Sequence, residues 1–136
     1  LLVSVHVLPW LGGDPLELGD APLALLATGA SASLAAIGFG IAVAMYARTT
    51  EQAASFSSAT VMILAALGGI LVPKTVMPPL MQDLALLSPL SWGLDAFQDV
   101  FVRGGGLRDV MPEVLGLLAF SIVCHGIAIL RYQGRL

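Results

Sequence analysis

From Ala21 to Ala47 the chain runs through twenty-seven residues without one charged side chain. At the helical rise that run covers about 40 Å, more than the roughly 30 Å hydrocarbon core of a bilayer. A helix apolar on every side must lie inside a large protein core or in lipid. Composition decides between the two. Of the 136 residues 57% are hydrophobic and only 11% charged, where a soluble domain carries about 25% charged residues. There is too little polar surface to coat a water-soluble globule. The expected fold is therefore all-α, a polytopic helical bundle in a membrane.

Two further apolar runs follow. Residues 53–72 are again free of charge, and residues 112–130 carry only Glu113, at their mouth, before Arg131 closes them. The opening stretch, residues 1–11, is apolar but too short to span, and it does not start with methionine. It reads as the tail of a span whose start is missing, so the chain is expected to be the C-terminal transmembrane portion of a longer protein. Spans are thus expected at 21–47, 53–72 and 112–130, three full crossings plus the tail of a fourth. The net charge of -3 excludes a nucleic-acid partner, because neutralising phosphates takes a basic surface. The lone Cys124 excludes a disulfide within the chain and reads as a small buried hydrophobe.

Small residues mark the faces where helices meet. Thr28, Ala32, Ala36, Gly40 and Ala44 recur at every fourth position, a small-xxx-small stripe that lets helix backbones approach closely in lipid. Ser57 and Ser58, in the hydroxyl-rich start of the second run, form with Glu113 and His125 a candidate polar pathway. Ordinary packing and capping explain the same residues, and are preferred. Glu113 follows Pro112 at a helix start, where a carboxylate favours the helix dipole; its sharper alternative is a contact with a cationic substrate, Arg103 or Arg108. The Arg48 turn and the Arg131/Arg135 tail must share one side, because two spans separate them. Their position hard against span ends places that side in the cytoplasm.

Between the last two spans lies "LVPKTVMPPLMQDLALLSPLSW", Leu71 to Trp92. Its prolines forbid an unbroken helix, yet it is too apolar for a polar linker. Leu94, Phe97 and Phe101 then share one helical face, with Asp95, Gln98 and Asp99 opposite, up to the flexible turn Arg103 to Gly106. Broken helices at membrane depth persist only where protein or a water-filled cavity shields their backbone. Residues 73–103 are thus expected to form an outer re-entrant or interfacial helix pair.

This order of features resembles the C-terminal half of ABC-2 type transporter permeases, the membrane subunits of ABC exporters. The resemblance rests on "ARTTEQAASFSS" leading into a span, on the string Pro73, Met77, Pro78, Ser88, Pro89, Trp92, Asp95, Phe97, Arg103, Gly104, and on a last span with a short basic tail. It implies a multi-pass protein of the cell membrane with a cytoplasmic C-terminal tail. Its partners would be a second permease copy, as a homo- or heterodimer, and a cytoplasmic ABC ATPase that holds the ATP. The chain would serve drug efflux or similar export by alternating access. The outer segment would act as a gate, with Pro73, Pro78 and Pro89 fixing its breaks, Trp92 anchoring it, and Met77, Phe97 and Arg103 completing it.

No phosphate-cradling G-x-x-x-x-G-K-[ST] loop occurs, so no cofactor is expected on this chain. No metal site and no catalytic group are expected either. His6 and His125 fall at different depths, which argues against shared haem ligation. Ser31 and Ser33 in "GASAS" lack a base within reach of either hydroxyl, as nucleophilic chemistry requires. The competing reading is a non-transporting membrane scaffold or assembly subunit, which the small-residue stripe fits equally well. That reading leaves the broken apolar segment without a purpose.

Overall fold

The computed structural model describes residues 22–133. The tail of a span expected at residues 1–11, together with His6 and Arg135, lies outside them. The described residues form helices and turns with no strand: α1 Pro22–Tyr46, α2 Thr50–Leu67, a 3-10 turn Lys74–Val76, α3 Pro79–Ala85, α4 Pro89–Phe101 and α5 Met111–Gln133. Among the described residues, α1 and α5 are the helices that pass for a membrane span by length and composition.

The run at 53–72 has different bounds in the structure. Its helix starts earlier, at Thr50, and stops at Leu67. Thr49 caps the start, its Oγ1 accepting from Gln52 N at 3.1 Å, while Gln52 Oε1 accepts from Arg48 N at 2.9 Å. This reciprocal arrangement resembles a capping box and makes the "RTTEQ" turn tight. At the other end Gly69 takes a left-handed φ of +88°, and Ile70 N donates back to Ala65 O at 3.1 Å, the Schellman termination that glycine permits. The apolar run continues to Val72, but the Gly-Gly stop outweighs hydrophobic continuity. The eighteen residues of α2 cover about 27 Å.

α1 and α5 lie side by side and run parallel. Ala24 packs with Val110 and Val114 near their starts, Ser121 Oγ donates to Leu34 O at 2.9 Å midway, and the Arg131 guanidinium lies 5.3 Å over the Tyr46 ring at their ends. The buried residues of α5 are Val114, Leu117, Ser121, Cys124 and Ala128. Their spacing alternates three and four, the repeat that keeps a seam facing its partner. On α1 the seam follows Ala24, Thr28, Ser31, Ala35 and Gly38, with the same alternation.

The expected packing stripe therefore holds only at its start. Thr28 is buried, Ala32 half-buried, and Ala36, Gly40 and Ala44 exposed. A strict step of four turns by about 40° more than one revolution, so five such residues wind nearly halfway around the helix. Alternating threes and fours cancel that drift.

α2 joins the Arg48 end of the bundle to the opposite end and buries none of its residues. α4 bridges from the end of α2 to the starts of α1 and α5, where Ala96 and Val100 complete the cluster with Ala24, Val110 and Val114.

Candidate functional site

Prolines open the two short helices rather than merely breaking one. Pro79 and Pro89 each occupy the first helical position, where a missing N–H costs nothing and the fixed φ is already helical. Ser88 precedes Pro89 but does not cap α4; its Oγ donates instead to Leu64 O at 3.0 Å and so ties α4 to α2. A Cβ on Gly68 would stand 3.0 Å from Ser91 N and 3.1 Å from Ser88 Oγ. Glycine is what lets the two backbones touch there.

Three further contacts hold the pair. Lys74 Nζ meets Asp95 Oδ2 at 2.5 Å, with Ser91 Oγ donating to the same oxygen at 3.4 Å. Trp92 Nε1 donates to Leu86 O at 2.9 Å, bracing the corner between α3 and α4. The Trp92 ring lies over Gly116, where a Cβ would stand 3.0 Å from ring carbon Cε3. Gly116 is five residues into α5, about 8 Å along its axis from Met111. Val100, near the far end of α4, packs beside Val110 and Val114. α4 thus starts deep and climbs towards the end of the bundle.

Beside that deep start opens an apolar cavity of about 650 Å³, walled by α1, α2, α4 and α5. Ala32, Ala36 and Gly40 line one side, Pro89 and Phe97 another, and Ser57 supplies the single polar side chain of the described lining. Six residues expected in three separate roles thus meet at one place. The part of the small-residue stripe that leaves the α1–α5 seam becomes a cavity wall, because small side chains leave space there. The volume falls within the roughly 300–1,000 Å³ of small-molecule sites, and the lining suits an apolar molecule.

The other expected site residues lie elsewhere. Met77 is buried, its carbonyl accepting from Gln82 Nε2 at 2.9 Å. Pro73, Pro78, Ser58 and Ala44 are exposed. Arg103 is exposed and pairs with Asp99 four residues before it, so it does not pair with Glu113. Glu113 sits in the first turn of α5, and its Oε2 has no hydrogen-bond partner among the described residues. His125 Nδ1 lies 2.8 Å from Ser121 O and 3.4 Å from Ser121 Oγ. The backbone carbonyl is the closer of the two partners. Ser31 and Ser33 donate to Thr28 O and Gly29 O of their own helix, at 3.0 and 2.7 Å. No group of three or more His, Cys, Asp and Glu among the described residues is placed to hold a metal.

Sequence reasoning missed Phe39 and Phe120, two of the three aromatic members of the cavity wall, and Gly38 and Gly116, which admit neighbouring rings. It also missed the Lys74–Asp95 pair. A lone lysine within an apolar segment was the available signal, since such a cation needs a counter-charge.

The sequence profile of the ABC-2 type transporter family matches residues 1–102. This chain belongs to that family. The ABC-2 chain is 28% identical over 123 residues to the linearmycin resistance permease protein LnrN of Bacillus subtilis (strain 168), covering 90% of this chain and 30% of that protein. It is 32% identical over 122 residues to the inner membrane transport permease YhhJ of Escherichia coli (strain K12), covering 89% of this chain and 32% of that one. A YhhJ permease of Shigella flexneri matches to the same extent. The ABC-2 chain thus spans about a third of the length of these relatives. No solved structure matches it. Family membership and the two long apolar helices mark the chain as membrane sequence of an ABC-2 family protein.

Proposed function

We propose that this chain is the C-terminal membrane portion of the permease subunit of an ATP-driven ABC exporter. The single observation that carries the reading is the cavity walled by α1, α2, α4 and α5 with the broken pair α3–α4 beside it. A cavity of that volume with one hydroxyl in its wall favours an apolar or amphipathic cargo. The relative whose name is a resistance permease favours the outward direction. α2 serves as a third crossing, its length of about 27 Å extended by exposed Ile70, Leu71 and Val72. The deep start of α4 supports re-entry of residues 73–103 into the leaflet opposite the Arg48 turn. Its backbone is shielded by α2 and α5, as lipid requires.

In this reading an ABC ATPase binds at the cytoplasmic side, which is the Arg48 side, and ATP resides there. A second permease copy completes the path, and the two membrane halves rock between inward- and outward-facing states. α3–α4 acts as the outer gate, held by the Lys74–Asp95 clasp and the Ser88–Leu64 bond. Purification of the full-length permease is expected to bring down an ABC ATPase whose hydrolysis responds to apolar compounds. A pure permease with no associated ATPase would leave it a scaffold.

A further inference from the structure

A second cavity, of about 530 Å³, lies between α1, α2 and α5 towards the Arg48 end of the bundle. Its body is apolar, with Val43, Phe56, Phe120 and Ile127 in the wall, while Tyr46 and Gln52 stand at the end where α1 turns into α2. The cavity follows α2 from Gln52 to Leu64, about 18 Å of helix, close to the roughly 15 Å depth of one hydrocarbon leaflet. It is as long as the apolar half of one lipid.

Its mouth is cationic. The Arg131 guanidinium lies over the Tyr46 ring at 5.3 Å, and stacking leaves the N–H groups at its rim free to donate. Arg48 sits in the α1–α2 turn, its backbone N bonded to Gln52 Oε1 at 2.9 Å. The ion pairs among the described residues are Lys74–Asp95 and Arg103–Asp99, both at the opposite end of the bundle. Glu51, the nearest carboxylate in sequence, is exposed and pairs with neither arginine. Arg131, over Tyr46, and Arg48, beside the lining residue Ala47, thus stand at one end of a leaflet-long apolar cavity, neither with an ion-pair partner among the described residues.

We propose that this cavity holds one acyl chain of an anionic phospholipid from the leaflet on the Arg48 side, with the headgroup phosphate held between Arg48 and Arg131. Apolar wall and cationic rim together match such an amphiphile. A zwitterionic lipid fits the wall but gains less at the rim. A bound lipid also accounts for how α2 stands off α1 and α5 without a buried residue of its own.

The test uses the full-length permease in nanodiscs containing trace phosphatidylglycerol or phosphatidylcholine, each with a diazirine at mid-chain, followed by photolysis and peptide mass spectrometry. Adducts are expected within residues 39–47 and 52–64 and at Phe120, Cys124 and Ile127. The phosphatidylglycerol probe is expected to label them more, by about fivefold for each arginine engaged. Arg48→Gln with Arg131→Gln brings the two probes level. Ala42→Phe fills the cavity without touching either arginine and removes its labelling by both probes, while elution volume reports an intact fold. Equal labelling by both probes in the unaltered protein overturns the proposal, as does a preference that survives the double variant. Labelling confined to exposed Ile122 and Ile129 overturns it too, and marks ordinary surrounding lipid, another helix of the protein or a second copy in the cavity. None of these outcomes depends on ATP hydrolysis or transport, so failure here leaves the exporter reading untouched.

Discussion

Replacing Gly38 by alanine places a methyl carbon 2.8 Å from His125 Nδ1, 2.9 Å from its Cε1 and 3.2 Å from Ser121 O. The imidazole has one way out, which is to give up its 2.8 Å bond to Ser121 O. The Ser121 carbonyl cannot retreat without moving the α5 backbone. Overpacking of this kind costs about 1–3 kcal/mol, and the lost polar contact in a membrane helix about 0.6 kcal/mol. Against this, alanine outranks glycine in helix propensity by up to about 1 kcal/mol. The balance is a loss of about 1–2 kcal/mol. Gly40 lies two residues away on the same helix, and a Cβ there meets nothing within 4 Å. Gly40→Ala therefore collects the propensity gain alone and is expected to stabilise by up to about 1 kcal/mol. The assay is reversible unfolding of the full-length permease in mixed bicelles by a denaturing detergent, run as a double-mutant cycle with His125→Ala. Removing the ring should recover about 1 kcal/mol or more of the Gly38→Ala loss, a coupling typical of residues in contact. If Gly40→Ala is the damaging change and Gly38→Ala the neutral one, the helices meet along the strict four-residue stripe and the seam described above is refuted.

At the other end of the bundle, Pro78→Ala with Pro89→Ala is expected to reduce dye efflux from cells while ATP binding by the associated ATPase persists; normal efflux would remove the gate role from α3–α4. Gly69→Ala puts a side chain at a φ of +88° and 2.9 Å from Lys74 Cγ, so a loss of about 1–2 kcal/mol is expected in the same unfolding assay, and a neutral result would contradict the Schellman end of α2. Lys74 and Asp95 keep side-chain exposures of 30% and 32%. Screening limits such a pair to about 1 kcal/mol or less, so Lys74→Ala should barely move stability yet slow or uncouple efflux, with the exchange Lys74→Asp and Asp95→Lys restoring it. Gly116→Leu is expected to push the Trp92 ring outward and red-shift its emission, with Trp92→Phe assigning the signal.

Much of this architecture was visible in the residues. Long apolar runs located α1 and α5, because charge is costly in hydrocarbon over that length. The prolines showed that the segment must break, since a fixed φ and a missing donor forbid an unbroken helix, while their place as the first residues of α3 and α4 came from the structure. The Gly-Gly end of α2 was legible too, but hydropathy alone carried the expected span past it to Val72. Which face of α1 meets α5 was not legible. Thr28 lies in both the four-residue stripe and the observed seam, and in an alanine-rich helix composition scarcely distinguishes Gly38 from Gly40. His125 and Ser121, which decide the matter, are more than eighty positions away in sequence.

The sequence by itself determined that the chain is helical and membrane-bound, which runs form long helices and where the chain must break. Those properties follow from the cost of unpaired backbone and of charge in hydrocarbon, each set by local composition. Only the tertiary structure decided that three of the five small-stripe residues line a cavity, that Lys74 meets Asp95, and that α2 buries none of its residues. Such arrangements come from van der Waals fit between surfaces distant in sequence, and every helix in lipid is equally apolar, so hydropathy carries no record of them.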